Sequence, residues 1–222
     1  MLKTTKELEE LSRQVRATAS PQRLQANAQT ISELIASDLR ASALREGDAA
    51  PDFALPDAHG NVVALKTLLD RGPVVISFYR GQWCPFCNLE LRGLQRVLPQ
   101  IEQMPASLVA ISPQLPDHSL STEEKNQLTF PVLSDVGNVA AKRFGIVFTL
   151  PAALIDAYQA MGRDLVDVNG EAGAAQLPMP ATFVLDKSGV IRLAFIEEDW
   201  SKRLDPEIIL DTLRDMIIQT ED

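Results

Sequence analysis

The two cysteines of this 222-residue chain sit together as Trp83-Cys84-Pro85-Phe86-Cys87. The stretch before them, Pro73-Val74-Val75-Ile76-Ser77-Phe78-Tyr79, has the continuous apolar character of a buried strand. The stretch after them, Asn88 to Leu98, places its leucines at helical spacing. A CxxC pair where a strand gives way to a helix is a setting for thiol redox chemistry. The free N–H groups and positive dipole end of the helix favour a thiolate there. Such placement lowers a cysteine pKa from about 8.5 toward roughly 3.5–7.5, and the thiolate is the reactive form.

The rest of the chain divides at Gly47. Residues 1 to about 46 read as a helical extension. Thr4 and Glu7 fit a capping box, with Leu8, Leu11 and Val15 behind them. Ser20-Pro21 marks a second helix start, with Ser20 as N-cap. Leu24, Ala28, Ile31, Ile35 and Leu39 fall on one face of that helix, as a packing stripe or a homodimer contact. From residue 47 to 222 strands and helices alternate, the pattern of an α/β domain. Asp57-Ala58-His59-Gly60 and Asp186-Lys187-Ser188-Gly189 mark two hairpin turns. Ser107 to Ser112 is another apolar strand, Asp117–Gln127 a polar helix, and Pro131 to Ser134 a short strand. A short helix spans Val139–Phe144, Pro99 bends or ends the helix that follows the cysteines, and a last helix runs from about Asp205 to Gln219. The segment from Ile146 to Pro180 is hard to read. Pro151 to Gly162 has helical character, Gly170–Gln176 reads as loop, and the whole is placed to cover the cysteines.

Composition narrows the partners. A net charge of −9 argues against nucleic acid or an anionic membrane surface. The N-terminus lacks the apolar run of a signal peptide, and no stretch approaches a membrane span. Two cysteines do not make a secreted disulfide scaffold. The expectation is a cytoplasmic protein whose cysteines are chemical.

Three blocks carry a resemblance. Gly47-Asp48-Ala49-Ala50-Pro51-Asp52-Phe53-Ala54-Leu55, Phe78 to Cys87, and Phe130 to Asp135 followed by Val139 to Gly145 resemble, in that order and spacing, the alkyl hydroperoxide reductase and thiol-specific antioxidant family. The chain looks like a peroxiredoxin-like branch that carries a CxxC. The resemblance implies a thioredoxin-like three-layer α/β/α sandwich with a mixed central sheet. The departures are specific. Laid on the family's active loop, the peroxide-attacking cysteine falls on Cys87, the usual hydroxyl residue on Cys84, and the usual proline on Arg80. The family's arginine before the later strand falls near Pro180. Trp-Cys-x-x-Cys, and a proline before a strand in Met179-Pro180-Ala181-Thr182, instead resemble thioredoxins, in which that X–Pro bond is cis and lies against the disulfide.

Two chemistries follow. As a peroxidase, the pair reduces a hydroperoxide, with Cys87 attacking and Cys84 resolving. As a disulfide oxidoreductase, Cys84 attacks a disulfide because it precedes the helix and is better exposed. A redox sensor or binding module, whose disulfide state switches a partner contact, is the third reading. The two enzymatic readings take an external reductant, thioredoxin-like or a small thiol, and neither needs an organic cofactor or a metal. Cys84, Cys87, His59 and His118 add up to a zinc set, but neither histidine has finger-like spacing; His118 reads as a solvated residue near a helix start. Arg80 is expected either to stabilise a thiolate or leaving oxygen, or to form a surface salt bridge. Trp83 shields the site, docks a partner or packs on the domain. Thr182 bonds a sulfur or is an ordinary buried strand residue.

Overall fold

Val74–Phe78 forms the central strand, β3, because every residue in it is buried and its side chains alternate between two apolar layers. The computed structural model describes residues 3–218. Ahead of β3 lie α1 (Lys3–Thr18), α2 (Pro21–Ala36), the single turn α3 (Leu39–Ser42), the hairpin β1 (Ala54–Pro56) and β2 (Val62–Ala64), and α4 (Leu65–Leu69). After it come α5 (Pro85–Gln103), β4 (Ser107–Ser112), α6 (Pro116–Asn126), β5 (Val132–Ser134) and α7 (Val139–Arg143). The chain continues through β6 (Val147–Thr149), α8 (Ala152–Gln159), α9 (Leu165–Asn169), β7 (Gln176–Pro178), β8 (Ala181–Leu185), β9 (Ile191–Ile196) and α10 (Pro206–Ile218). The end predicted for the last helix, Gln219, lies outside the described residues.

The main sheet has the order β5-β4-β3-β8-β9. β3, β4 and β5 are parallel, joined by α5 and α6 as crossovers, while β8 and β9 run antiparallel. Val74, Ile76 and Phe78 face a layer that includes Phe144, Phe183, Leu154 and Leu34. Val75 and Tyr79 face the opposite layer, with Leu91, Leu94 and Leu98 of α5 and Leu210 and Leu213 of α10. The result is a mixed sheet between two helical layers, the α/β/α sandwich that the resemblance implies.

Four local expectations change. Thr4 lies inside α1 rather than capping it: it is buried against Gly93, and Arg96 of α5 donates to both Thr4 Oγ1 and Glu7 Oε2 at 2.8 Å. Those residues dock α1 on α5. Ser20 does cap α2, accepting from the Arg23 N–H at 3.3 Å. The buried face of α2, however, is Ala26, Thr30 and Leu34, set by packing against α8; Ile35 is 60% exposed. Pro99 sits inside α5, which runs on to Gln103, so of the two expected outcomes it does not end the helix. The described residues contain no cis peptide bond, so Met179–Pro180 is trans. The backbone there is already committed to extended pairing: Met179 N–H donates to Ile146 O at 2.7 Å and Pro180 O accepts from Glu197 N–H at 3.3 Å.

The segment between Ile146 and Pro180 is a β6–β7 hairpin carrying α8 and α9 at its tip. Among the described residues, no helix is long and apolar enough to cross a membrane.

Candidate active site

β3 ends at Phe78, and the loop Tyr79–Trp83 turns into α5 with Cys84 as N-cap and Pro85 at the first helical position. Proline there is favoured, since its missing N–H would have no helical partner. The turn needs Gly81. Its φ is +143°, and a Cβ on it would stand 2.6 Å from Trp83 Nε1 and 2.8 Å from Gln114 Oε1. A polar network holds the loop from the α6 side. Gln114 accepts from the Gln82 N–H, Asn88 Nδ2 donates to Gln82 O at 2.7 Å, and Gln82 Nε2 meets His118 Nδ1 at 2.7 Å. His118 is therefore packed against the active loop rather than simply solvated. His59 goes elsewhere, to Glu123 at 3.0 Å on an exposed turn.

Both cysteines are free thiols, and both are buried, Cys84 at 1% and Cys87 at 0% exposure. Cys84 is thus not the exposed residue that its place ahead of the helix suggests; it lies in a cavity wall shared with Trp83, Tyr158 and Trp200. It does line a small cavity of about 30 Å³, and Cys87 does not. The two sulfurs also differ in charge. Burial opposes ionisation of Cys84, but a hydrogen bond from Cys87 and the charges of Arg80 and Arg203 outweigh it, holding the thiol down at about 5. Burial pushes the Cys87 thiol well up, and the neighbouring Cys84 charge pushes it further. One thiolate and one thiol therefore share the turn at neutral pH.

Arg80 is 2% exposed, which removes the surface salt bridge as its role. It donates to the Tyr158 hydroxyl, and its guanidinium lies 4.9 Å from the Trp83 ring centre, 5.7 Å from Tyr158 and 4.4 Å from Trp200. Desolvated cation–π contacts of this kind are worth up to about 2 kcal/mol each, so the rings hold Arg80 without a carboxylate. Trp83 also packs on Tyr158, with ring centres 4.9 Å apart. It is a wall of the site. Thr182 is buried in β8 between Ser77 and Phe195, and Pro180 is buried just ahead of it. Arg80 and Arg203 both favour the ionised form of the two sulfurs.

Arg203 is the residue sequence reasoning missed. It comes from the segment between β9 and α10, and its Nη2 donates to Cys87 Sγ at 3.3 Å. Its Nε pairs with Glu90 Oε2 at 2.6 Å, both side chains nearly solvent-free, and Nη1 donates to Trp200 O and Lys202 O. Burial works against its charge, but Glu90 and the two sulfurs raise its pKa. Glu90, in turn, is raised by burial against the pull of Arg203. The guanidinium that looked absent near Pro180 thus reaches the sulfurs from beyond β9. Glu90 sits on α5 one turn past Cys87, at a spacing that pointed toward the site; nothing local marks Arg203. Tyr158 and Arg163, from α8 and the turn after it, also line the cavity, so the hard-to-read segment does reach Cys84.

Comparison with known proteins gives the same picture. The AhpC/TSA family model matches residues 46–194. Peroxiredoxin Bcp of Escherichia coli K12 is 31% identical over 103 residues, covering 46% of this chain and 65% of that protein. The chloroplastic peroxiredoxin Q of Populus jackii is 28% identical over 152 residues, covering 68% of this chain and 60% of that one. Among solved structures, peroxidoxin BcpB of Mycobacterium tuberculosis superposes with a TM-score of 0.61 at 25% identity, covering 78% of this chain and 97% of that chain. With two cysteines at the head of a helix in a sheet of this topology, the chain belongs to the AhpC/TSA family as a peroxiredoxin-like thiol enzyme of the thioredoxin fold.

Proposed function

We propose that the protein reduces hydroperoxides with Cys84 as the attacking thiolate and Cys87 as the resolving thiol. The observation that carries this assignment is that Cys84 lines the cavity beside Arg80 and is held down at about 5, while Cys87 lies behind it and is held up. At pH 7 a thiol held down in this way is mostly thiolate, whereas an ordinary cysteine is mostly thiol. The Cys84 sulfur attacks one peroxide oxygen; an S–O bond forms and the O–O bond breaks. The electron pair goes to the departing oxygen, which takes a proton and leaves as alcohol or water. The Arg80 guanidinium, already fixed over the cavity, stabilises the charge developing on that oxygen. Cys84 is now a sulfenic acid. The Cys87 sulfur attacks it, the Cys84–Cys87 disulfide forms, and the hydroxyl leaves as water with the Cys87 proton. Two electrons have passed from the sulfur pair to the peroxide, and an external dithiol or pair of small thiols restores them.

The same Cys84 thiolate would serve thiol–disulfide exchange, and its N-cap position supports that second reading. A cytoplasmic setting fits the bacterial Bcp relative. The end of the α2 stripe at Ile35, 60% exposed and outside the groove that Leu24, Ala28 and Ile31 line, supports a homodimer contact; Ile35→Glu is expected to convert a dimer to monomer in sedimentation velocity. Among the described residues, the extension up to residue 46 clasps the domain that begins at residue 47, α1 packing on α5 and α2 on α8.

Stopped-flow tryptophan fluorescence of the reduced protein with hydrogen peroxide tests the assignment, since Trp83 adjoins Cys84. Cys87→Ser should keep the fast phase and Cys84→Ser should lose it by about tenfold or more, as expected when the residue that holds the thiolate is removed. A fast Cys84→Ser variant would make Cys87 the attacker. Rates no faster than a free thiol in all three proteins would leave disulfide exchange as the reaction.

A further inference from the structure

The cavity beside Cys84 is lined by three arginines, Arg23, Arg80 and Arg163, and none of them makes an ion pair with a carboxylate among the described residues. The single negative group at the cavity is the Cys84 sulfur, so cations are in excess in a chain whose net charge is −9. Their mutual repulsion is felt: Arg163 is lowered by burial first and then by the charges of Arg23 and Arg80. Four polar atoms around this space are buried without a partner: Arg23 Nε, Arg80 Nε, Trp83 Nε1 and Asn27 Oδ1. Native proteins rarely leave such atoms unpaired, and here three of the four are donors. The Asn27 amide presents a donor after a half-turn of its side chain.

We infer that the outer side of this cavity is a carboxylate-binding subsite, built by Arg23 and Arg163 with Asn27 and leaving Arg80 to the reacting oxygen, that selects carboxylate-bearing hydroperoxides or thiols for Cys84. It rests on the reading of Cys84 as the reacting thiol. Size favours a carboxylate over a phosphate. The space is small, about 30 Å³, which suits a planar three-atom carboxylate better than a tetrahedral five-atom phosphate. A planar carboxylate matches the fork of a guanidinium and takes two parallel bonds. The remainder of such a molecule has somewhere to go. A groove of about 370 Å³ continues from the cavity, sharing Val15, Asn27, Phe86 and Trp200 with it. Arg23 and Asn27 come from α2, ahead of the residues matched by the family model, and Arg163 follows α8. The α2 part of the subsite's outer wall, Arg23 and Asn27, therefore lies outside the matched family region, while Arg163 lies within it.

The test begins with binding, which needs no redox chemistry. In the Cys84→Ser/Cys87→Ser protein at constant ionic strength, propionate should shift the indole N–H resonance of Trp83 saturably, and propionamide should not. Arg23→Gln/Arg163→Gln should weaken propionate binding at least ~10-fold, as expected for lost charge-assisted bonds, with the remaining spectrum unchanged. The single variants should each show part of that loss, which keeps the test open if the double variant misfolds. Absence of a saturable shift, or equal binding to the variants, overturns the inference. Rates then locate the carboxylate. A carboxylate-bearing hydroperoxide reacting faster than tert-butyl hydroperoxide, or mercaptoacetate reducing the disulfide faster than 2-mercaptoethanol, places it on substrate or on reductant, and the preference should vanish in the arginine variants. No preference in either arm overturns selection. Propionate binding with slow peroxide reduction would refute the peroxidase assignment alone; fast reduction without propionate binding would refute the subsite alone.

Discussion

Cys84 and Cys87 share one helical turn, yet the arginines on their two sides are buried in opposite ways. Beside Cys87, Arg203 is solvent-free and neutralised by Glu90 at 2.6 Å. Beside Cys84, Arg80 is almost as deeply buried, with aromatic rings where a carboxylate would be expected and two further arginines nearby. The first arrangement is closed: charge, counter-charge and hydrogen bonds are complete within the fold. The second is open, its counter-charge being the thiolate and whatever enters the cavity. A buried cation paired inside the protein fixes geometry; one left without an internal carboxylate keeps its field for a reacting group.

That contrast can be broken most forcefully on the closed side. Glu90→Gln leaves Arg203 charged and unpaired in the core, which should cost about 3–5 kcal/mol of stability in urea unfolding. Arg163→Gln on the open side orphans no carboxylate and relieves repulsion, so its stability should stay within about 1 kcal/mol of the parent. Equal losses in the two variants would erase the distinction. Next in size is the loop that keeps the two sides apart. Gly81→Ala meets both a left-handed backbone and a 2.6 Å clash with Trp83, and should lose about 1–3 kcal/mol.

The thiols themselves give the pH readout. Alkylation of the reduced protein should rise with a midpoint near pH 5, the value held by Cys84, and be flat through neutrality. Cys84→Ser should remove that step and move the remaining reaction to higher pH, because burial still holds Cys87 up once the Cys84 charge that added to it is gone. Since the Cys84 value is depressed in the fold, its contribution to stability is full above the ordinary cysteine range and is lost as pH falls through about 5. Arg80→Met should move the alkylation midpoint upward by about one unit or more, the effect of losing one nearby cation. The smallest effect is expected from Tyr158→Phe, which removes one hydrogen bond to Arg80 and should cost about 1 kcal/mol.

Much of this was legible from the residues. The βα junction at Cys84, both hairpins, the apolar β3 and β4, and the last helix follow from period and punctuation, which are local properties. Arg80 and Trp83 were visible because they adjoin the cysteines in sequence. The misreadings share a cause. Thr4 and Glu7 look like a cap but serve as a dock for Arg96, and α2 turns Ala26, Thr30 and Leu34 inward because α8 lies there. A pattern scored along one helix does not contain the identity of its neighbour.

The sequence by itself determined the element order and the position of a redox-active cysteine pair at a helix start, because strand burial, helix capping and turn chemistry act over a few residues. Only the tertiary structure decided which sulfur carries the charge. That choice belongs to the hydrogen bond from Cys87 to Cys84, while Arg203, 116 residues away from Cys87 in the chain, and Arg80, beneath rings drawn from α8 and the segment after β9, supply the field in which a buried sulfur ionises at all. Electrostatic fields act through space, so the residues that tune a buried thiol need leave no mark in the sequence around it.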